Sequence, residues 1–211
     1  MSKPRSKVVA MWIGASRLVA AILLLCALGL SLAESLLTAS MSFSTGAYAI
    51  AAIVLLSSGL FLALSQRETR VLDVLFLSAT CWVVASVVIG LLEGGPTVNL
   101  GETVLAALAA AWMIVDWTIL GPSRRPRLST IWVTLSYPAL WIWYAMIRAS
   151  AIEVYPLPIV GPEVDGPLAM VLSTVAFGLA LLALAGLFWV VRRHRPQFTS
   201  SDRLHDVRGM P

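Results

Sequence analysis

A handful of polar side chains fall where the sequence is otherwise apolar, and depth sorts them into two layers. Arg17, Asp73 and Asp116 lie together toward one end of the long apolar runs. Thr45, Glu102, Arg148 and Tyr155 lie toward the other. An ionisable group in hydrocarbon is costly and by default marks either a paired structural cluster or a path for ions or protons. The first layer contains both signs of charge, which suits a structural cluster of Arg17 with Asp73 or Asp116. A proton or ion path is the other chemistry those groups could serve, although no acidic series continues across the membrane. The second layer could converge on a ligand. Each member also has a local reading: Thr45 as a helix N-cap, Glu102 as a first-turn carboxylate favoured by the helix dipole, and Arg148 as a residue snorkelling to the interface.

The elements that must position these groups follow from composition. Of 211 residues 59% are apolar and 12% charged, against about half and about a quarter in soluble domains. A bilayer core about 30 Å thick is crossed by a helix of about 20 apolar residues. Runs of that length occupy residues 11–33, 46–65, 71–92, 100–120, 131–149 and 167–191, punctuated by charge, Gly or Pro. The expectation is an all-α polytopic membrane protein, a bundle of six transmembrane helices. Residues 1–10 form a cytoplasmic segment, 11–191 the membrane domain and 192–211 a cytoplasmic tail. The first run is too long for a secretory signal.

Orientation follows from Lys and Arg, which are in excess in cytoplasmic loops. Lys3, Arg5 and Lys7 precede the first run, Arg67 and Arg70 follow the second, Arg124, Arg125 and Arg127 follow the fourth, and Arg192, Arg193 and Arg195 follow the sixth. Glu34, Glu93, Glu153, Glu163 and Asp165 occupy the opposite loops, with Arg148 the basic exception. A multi-pass protein of the cell membrane with both termini cytoplasmic is expected. The net charge of +4 is accounted for by topology and attraction to anionic headgroups, so membrane lipids are the expected partners and nucleic acid is not.

Cys26 and Cys81 fall inside runs and read as small apolar residues, while His194 and His205 lie near the C-terminus. No spacing suggests a metal site or a cofactor. Trp132, Tyr137, Trp141, Trp143 and Tyr144 crowd the fifth run and read mostly as an interfacial belt. Pro138 should kink the middle of that run. In the sixth, Ala176, Ala180, Ala183 and Gly186 would let another helix approach closely.

Several short motifs recur in a recognisable order: "FST" at 43–45, "WMIVDW" at 112–117, "RRPRLSTIWVTLSYPALWIWYAMIR" at 124–148 and "YPLPIV" at 155–160. Over residues 8–195 the chain resembles bacterial six-span membrane proteins related to the androgen-induced protein and the androgen-dependent regulator of tissue factor pathway inhibitor. Animal members of that family are threonine hydrolases that cleave fatty acid esters of hydroxy fatty acids with an intramembrane Thr and a His. The resemblance implies Thr45, or Ser44 directly after the aromatic, in the nucleophile's place, and a lipid ester as the possible ligand.

The family's histidine falls on Ala106, and no His occurs from 99 to 116. A threonine hydroxyl is a poor nucleophile without an adjacent base. Glu102, about one helical turn from Ala106, is the nearby carboxylate that could substitute, and it would need a raised pKa to do so near neutral pH. Two classes therefore compete: a protein that binds a lipid or partner without turnover, and an intramembrane lipid-ester hydrolase using Thr45 with Glu102.

The charge pattern predicts labelling. Cysteine introduced at Arg125 or Ser200 is expected to be shielded from an impermeant thiol reagent in intact cells, and cysteine at Thr97 or Gly161 to react. Reaction of the first pair would overturn the orientation.

Overall fold

The computed structural model describes residues 7–34, 43–64, 69–93, 100–120, 127–152 and 167–194, and these are almost entirely helical. α1 spans Lys7–Glu34, α2 Phe43–Ala63, α3 Arg70–Glu93 and α4 Leu100–Val115, which continues as a π-helical turn at Asp116–Leu120. A 3-10 stretch, Leu128–Leu135, runs into α5, Ser136–Ile152, and α6 spans Pro167–Arg193. Among the described residues, five helices are long and apolar enough to cross a membrane, the array that a multi-pass membrane protein presents.

Apolar side chains cover the outside of the bundle as well as filling its core. Ile53, Leu60, Val71, Leu108 and Leu179 lie on the outside, a surface suited to acyl chains. Arg17, Ser58, Ser78, Thr80, Ser86, Asp116, Thr130 and Thr134 are buried. Several buried hydroxyls are satisfied locally by carbonyls one turn back: Thr80 donates to Phe76 O at 2.7 Å, Ser86 to Trp82 O at 2.9 Å and Thr130 to Arg127 O at 2.6 Å. Such back-bonding satisfies a hydroxyl without a partner helix.

The centre of the bundle is α3, which packs against α2, α4, α6 and the 3-10 stretch. Every residue from 76 to 83 is buried, as expected of a helix surrounded on all sides. α1 lies against α2 and α4. The α1–α2 seam closes on two glycines: a Cβ on Gly14 would stand 2.8 Å from Gly59 O, and one on Gly59 2.9 Å from Gly14 O. Here a side chain of any size would push the backbones apart. The small residues of α6 do not make such a contact. Ala176, Ala180 and Ala183 are exposed, and a Cβ at Gly186 would meet nothing within 4 Å. Cys26 is exposed, Cys81 is buried, and both are free thiols.

The fifth run departs from a continuous α-helix. Pro138 is the third residue of α5, which continues directly from the preceding 3-10 stretch. The irregularity lies upstream, in the eight residues of 3-10 helix, a long stretch for that geometry. An α-helical Thr134 carbonyl would accept from the N–H of residue 138, which proline lacks. Instead the indole Nε1–H of Trp82 on α3 donates to Thr134 O at 2.7 Å, and Ser78, one turn away on α3, lies 3.4 Å from the Thr134 hydroxyl. A neighbouring helix thus supplies the donor that proline removed, the usual way hydrocarbon-embedded backbone tolerates a break.

Trp82→Phe is expected to lower the unfolding midpoint in detergent by an amount corresponding to roughly 1–3 kcal/mol, the usual penalty for stranding a buried polar group. In a Pro138→Ala background, which restores the backbone donor, the same substitution should be milder. Equal effects in the two backgrounds would sever the link between Pro138 and Trp82.

Candidate functional site

The polar groups converge at two levels, one toward each end of the bundle. At the basic end, Arg17 of α1 reaches Asp116 at the junction of α4 with its π turn. Nε meets Oδ2 at 2.5 Å and Nη2 meets Oδ1 at 3.2 Å, with both side chains buried. This two-point geometry is the strong form of a charge-assisted contact. The Arg17 guanidinium also lies over the Phe76 ring at 4.8 Å. Phe76 stacks on Trp117 at 6.2 Å, and Arg192 of α6 lies over the other partner, Trp117, at 4.4 Å. The ladder Arg17–Phe76–Trp117–Arg192 therefore ties α1, α3, α4 and α6 in one layer. Asp73 is partly buried in the first turn of α3, three residues before Phe76 and so on the same helix face.

The π turn serves this layer. Widening the helix at Asp116–Leu120 disturbs the regular carbonyl ladder, as such bulges do. Thr118 donates its hydroxyl to Ile114 O at 2.6 Å, and Arg192 Nη1 donates to Trp117 O at 2.6 Å.

At the opposite end, roughly 20 Å along α1 at 1.5 Å per residue, the groups are hydroxyls and one carboxylate. Thr45 is the third residue of α2, inside the helix rather than capping it, and its Oγ1 lies 3.0 Å from Ser31 Oγ of α1. Buried Tyr48 shares a hydrogen bond with the Ser44 side chain and lies within electrostatic range of Glu102. Glu102 is in the first turn of α4. Residues 44, 45 and 48 are one turn apart at most, so α2 presents Ser44, Thr45 and Tyr48 within one region and α4 brings Glu102 toward it. The hydroxyl beside Thr45 is a serine, which cannot act as its base. Ala106, where the resemblance would place a histidine, is fully buried.

An aromatic assembly supports this end. Tyr137 donates its hydroxyl to Phe43 O at 2.7 Å and is hydrogen-bonded to the backbone of Ala47. The phenol is thereby inserted into the first turn of α2, between a carbonyl and the N–H four residues on. Gly46 makes room, since a Cβ there would lie within 2.2 Å of the phenol oxygen. Phe43 packs against Tyr137, Trp141 and Phe177 at centroid distances of 5.0, 5.6 and 5.1 Å. Trp82 meets Tyr137 at 5.1 Å.

Tyr48 and Gly46 were not among the residues singled out by sequence, and Tyr137 was read there only as one of the aromatics of an interfacial belt. The signal open to a reader was the glycine one residue after Thr45, in a first turn that also carries Phe43. Trp132, Trp143 and Tyr144 are exposed, as belt residues are, whereas Trp141 is buried and Tyr137 turns inward. Arg148 is carried by α5, and Tyr155 lies outside the described residues. Among the described residues no three His, Cys, Asp or Glu side chains converge as a metal site would require.

No family model matches the chain, and no curated protein or solved structure shows significant similarity to it.

The buried pair predicts a thermodynamic cycle. Arg17→Ala or Asp116→Ala alone strands a charge and is expected to destabilise the detergent-solubilised protein by an amount on the order of 3–5 kcal/mol, judged from soluble proteins. The double variant Arg17→Met, Asp116→Leu should unfold later than either single variant. Wild-type unfolding midpoints in both single variants would refute a structural role for the pair.

Proposed function

We propose that the chain is a six-span membrane protein with both termini cytoplasmic that binds a lipid or a protein partner without turning it over. Six crossings rather than five are supported by the ends of the chain. Arg17 of α1 and Arg192 of α6 stand in the same layer, which favours an even number of crossings. The segment Leu128–Ile152 would then cross as well. At about 2 Å per residue for its 3-10 part and 1.5 Å for its α part it reaches roughly 40 Å, enough for a bilayer core of about 30 Å. The side on which the termini lie rests on the distribution of Lys and Arg.

The choice of binder over enzyme rests on one observation: the hydroxyl of Thr45 is met by the hydroxyl of Ser31, while a methyl group stands at Ala106. A nucleophile-and-base unit needs the base within hydrogen-bond reach. The hydroxyl group of Ser31, Ser44, Thr45 and Tyr48 is suited instead to hydrogen-bonding the ester or hydroxyl oxygens of a lipid. The competing reading, an intramembrane lipid-ester hydrolase with Thr45 as nucleophile and Glu102 as base, draws its support from Glu102 lying near Tyr48, one turn from Thr45.

A fluorophosphonate probe is expected to leave purified wild-type protein unlabelled, and fatty acid esters of hydroxy fatty acids should survive incubation with it. Loss of the base from such a unit lowers rates by orders of magnitude. Labelling that vanishes in Thr45→Ala, with hydrolysis that falls in Glu102→Gln, would replace the binder by the enzyme.

A further inference from the structure

We infer that the basic end of the bundle holds an anionic phospholipid by its phosphate and that Arg193 grips it. The inference depends on the membrane-spanning reading and is independent of whether the other end binds or hydrolyses. α6 closes on two arginines, each laid over an indole: Arg192 over Trp117 of α4 at 4.4 Å, and Arg193 over Trp189, one turn back on α6 itself, at 4.8 Å. The two are differently engaged. Arg192 is partly buried and donates to Trp117 O at 2.6 Å, so it belongs to the contact between helices. Arg193 is exposed, and its N–H groups meet no acceptor among the described residues.

A guanidinium stacked on a ring keeps its N–H donors in its own plane, pointing away from the ring edge-on. Trp189, with its ring centroid 4.8 Å from the Arg193 guanidinium carbon, holds the side chain in place without taking its N–H donors as a hydrogen-bond acceptor would, and the planar fork matches two oxygens of a phosphate. Tryptophan favours the headgroup level of a membrane, which places this fork at the depth of lipid phosphates. On the hydrocarbon side, Leu187, Val190 and Val191 are exposed along α6 and offer an apolar surface for an acyl chain. The surroundings favour a net negative headgroup over a zwitterionic one. Arg127 is also exposed at the basic end of its segment, and the acidic Asp116 is already taken by Arg17.

The test is retention of lipid by the full-length, detergent-purified protein in native mass spectrometry, offering phosphatidylglycerol and phosphatidylcholine in equal amounts. Wild type is expected to retain phosphatidylglycerol about fivefold over phosphatidylcholine, the scale of one basic residue at an anionic surface. R193Q should bring that ratio near one, and R70Q should leave it unchanged. W189L, which removes the ring and keeps the arginine, gives a second route to the same loss should R193Q fold poorly, and unfolding midpoints without added lipid report on folding. Excess inorganic phosphate should not displace the lipid. Absence of a preference in wild type, an unchanged ratio in both R193Q and W189L, an R70Q loss equal to that of R193Q, or displacement by inorganic phosphate would each overturn the assignment. Neither Arg193 nor Trp189 contributes to the hydroxyl-rich end, so failure here leaves the reading of Thr45 untouched.

Discussion

Hydrocarbon leaves a charge or a backbone group nothing to bond with except the protein itself, and the pairing of Arg17 with Asp116 is where this constraint binds hardest. Neither α1 nor α4 could carry its charge across a membrane core alone. Together they hold both charges buried in a two-point contact. The consequences spread outward from that contact. Arg17 needs a neighbour for its flat face and finds Phe76, which places the start of α3. Phe76 stacks on Trp117, the residue after Asp116, and Trp117 in turn receives Arg192 from the end of α6. One ion pair thereby draws four helices into register at the same depth.

The same constraint, applied to backbone rather than charge, organises the opposite half. Pro138 removes an N–H, and the chain before it tightens into 3-10 geometry. Trp82 closes the gap by donating to Thr134 O, and its ring then meets Tyr137. Tyr137 in turn enters the first turn of α2 beside Gly46, directly next to Ser44 and Thr45. The position of the hydroxyl cluster is thus set by a proline far along the chain, through two aromatic side chains that each carry a hydrogen-bonding tip.

Much of the architecture could be read from the residues. The apolar lengths and the punctuation placed all the helix ends within a few residues, because lipid thickness sets span length directly. The pairing of Arg17 with Asp116 was legible as one of two options because charge in hydrocarbon demands a partner. Other features escaped for physical reasons. Tyr and Trp suit both an interfacial belt and a packed interior, so nothing local separates inward-turned Tyr137 from exposed Trp143. The 3-10 stretch carries ordinary apolar residues, and its geometry is imposed from outside by α3. The small residues of α6 matched a packing pattern, yet the close helix contact is made by Gly14 and Gly59, which lie on different helices and so leave no periodic trace. Thr45 looked like a cap because helix ends are blurred by two or three residues.

The two polar levels differ in what it takes to open them. Separating Arg17 from Asp116 would leave two charges in a low-dielectric interior, a penalty of several kcal/mol that a neutral ligand could not offset. Separating Ser31 from Thr45 gives up one neutral hydrogen bond, with a net worth of about 1 kcal/mol, and a lipid ester or hydroxyl oxygen arriving there would restore it. The ion pair therefore behaves as a fixed floor, and the hydroxyl pair as an exchangeable contact. Under the proposed binding function, ligand exchange within the bundle would be favoured at the level of Thr45, where the bonds that must break are those a lipid could replace.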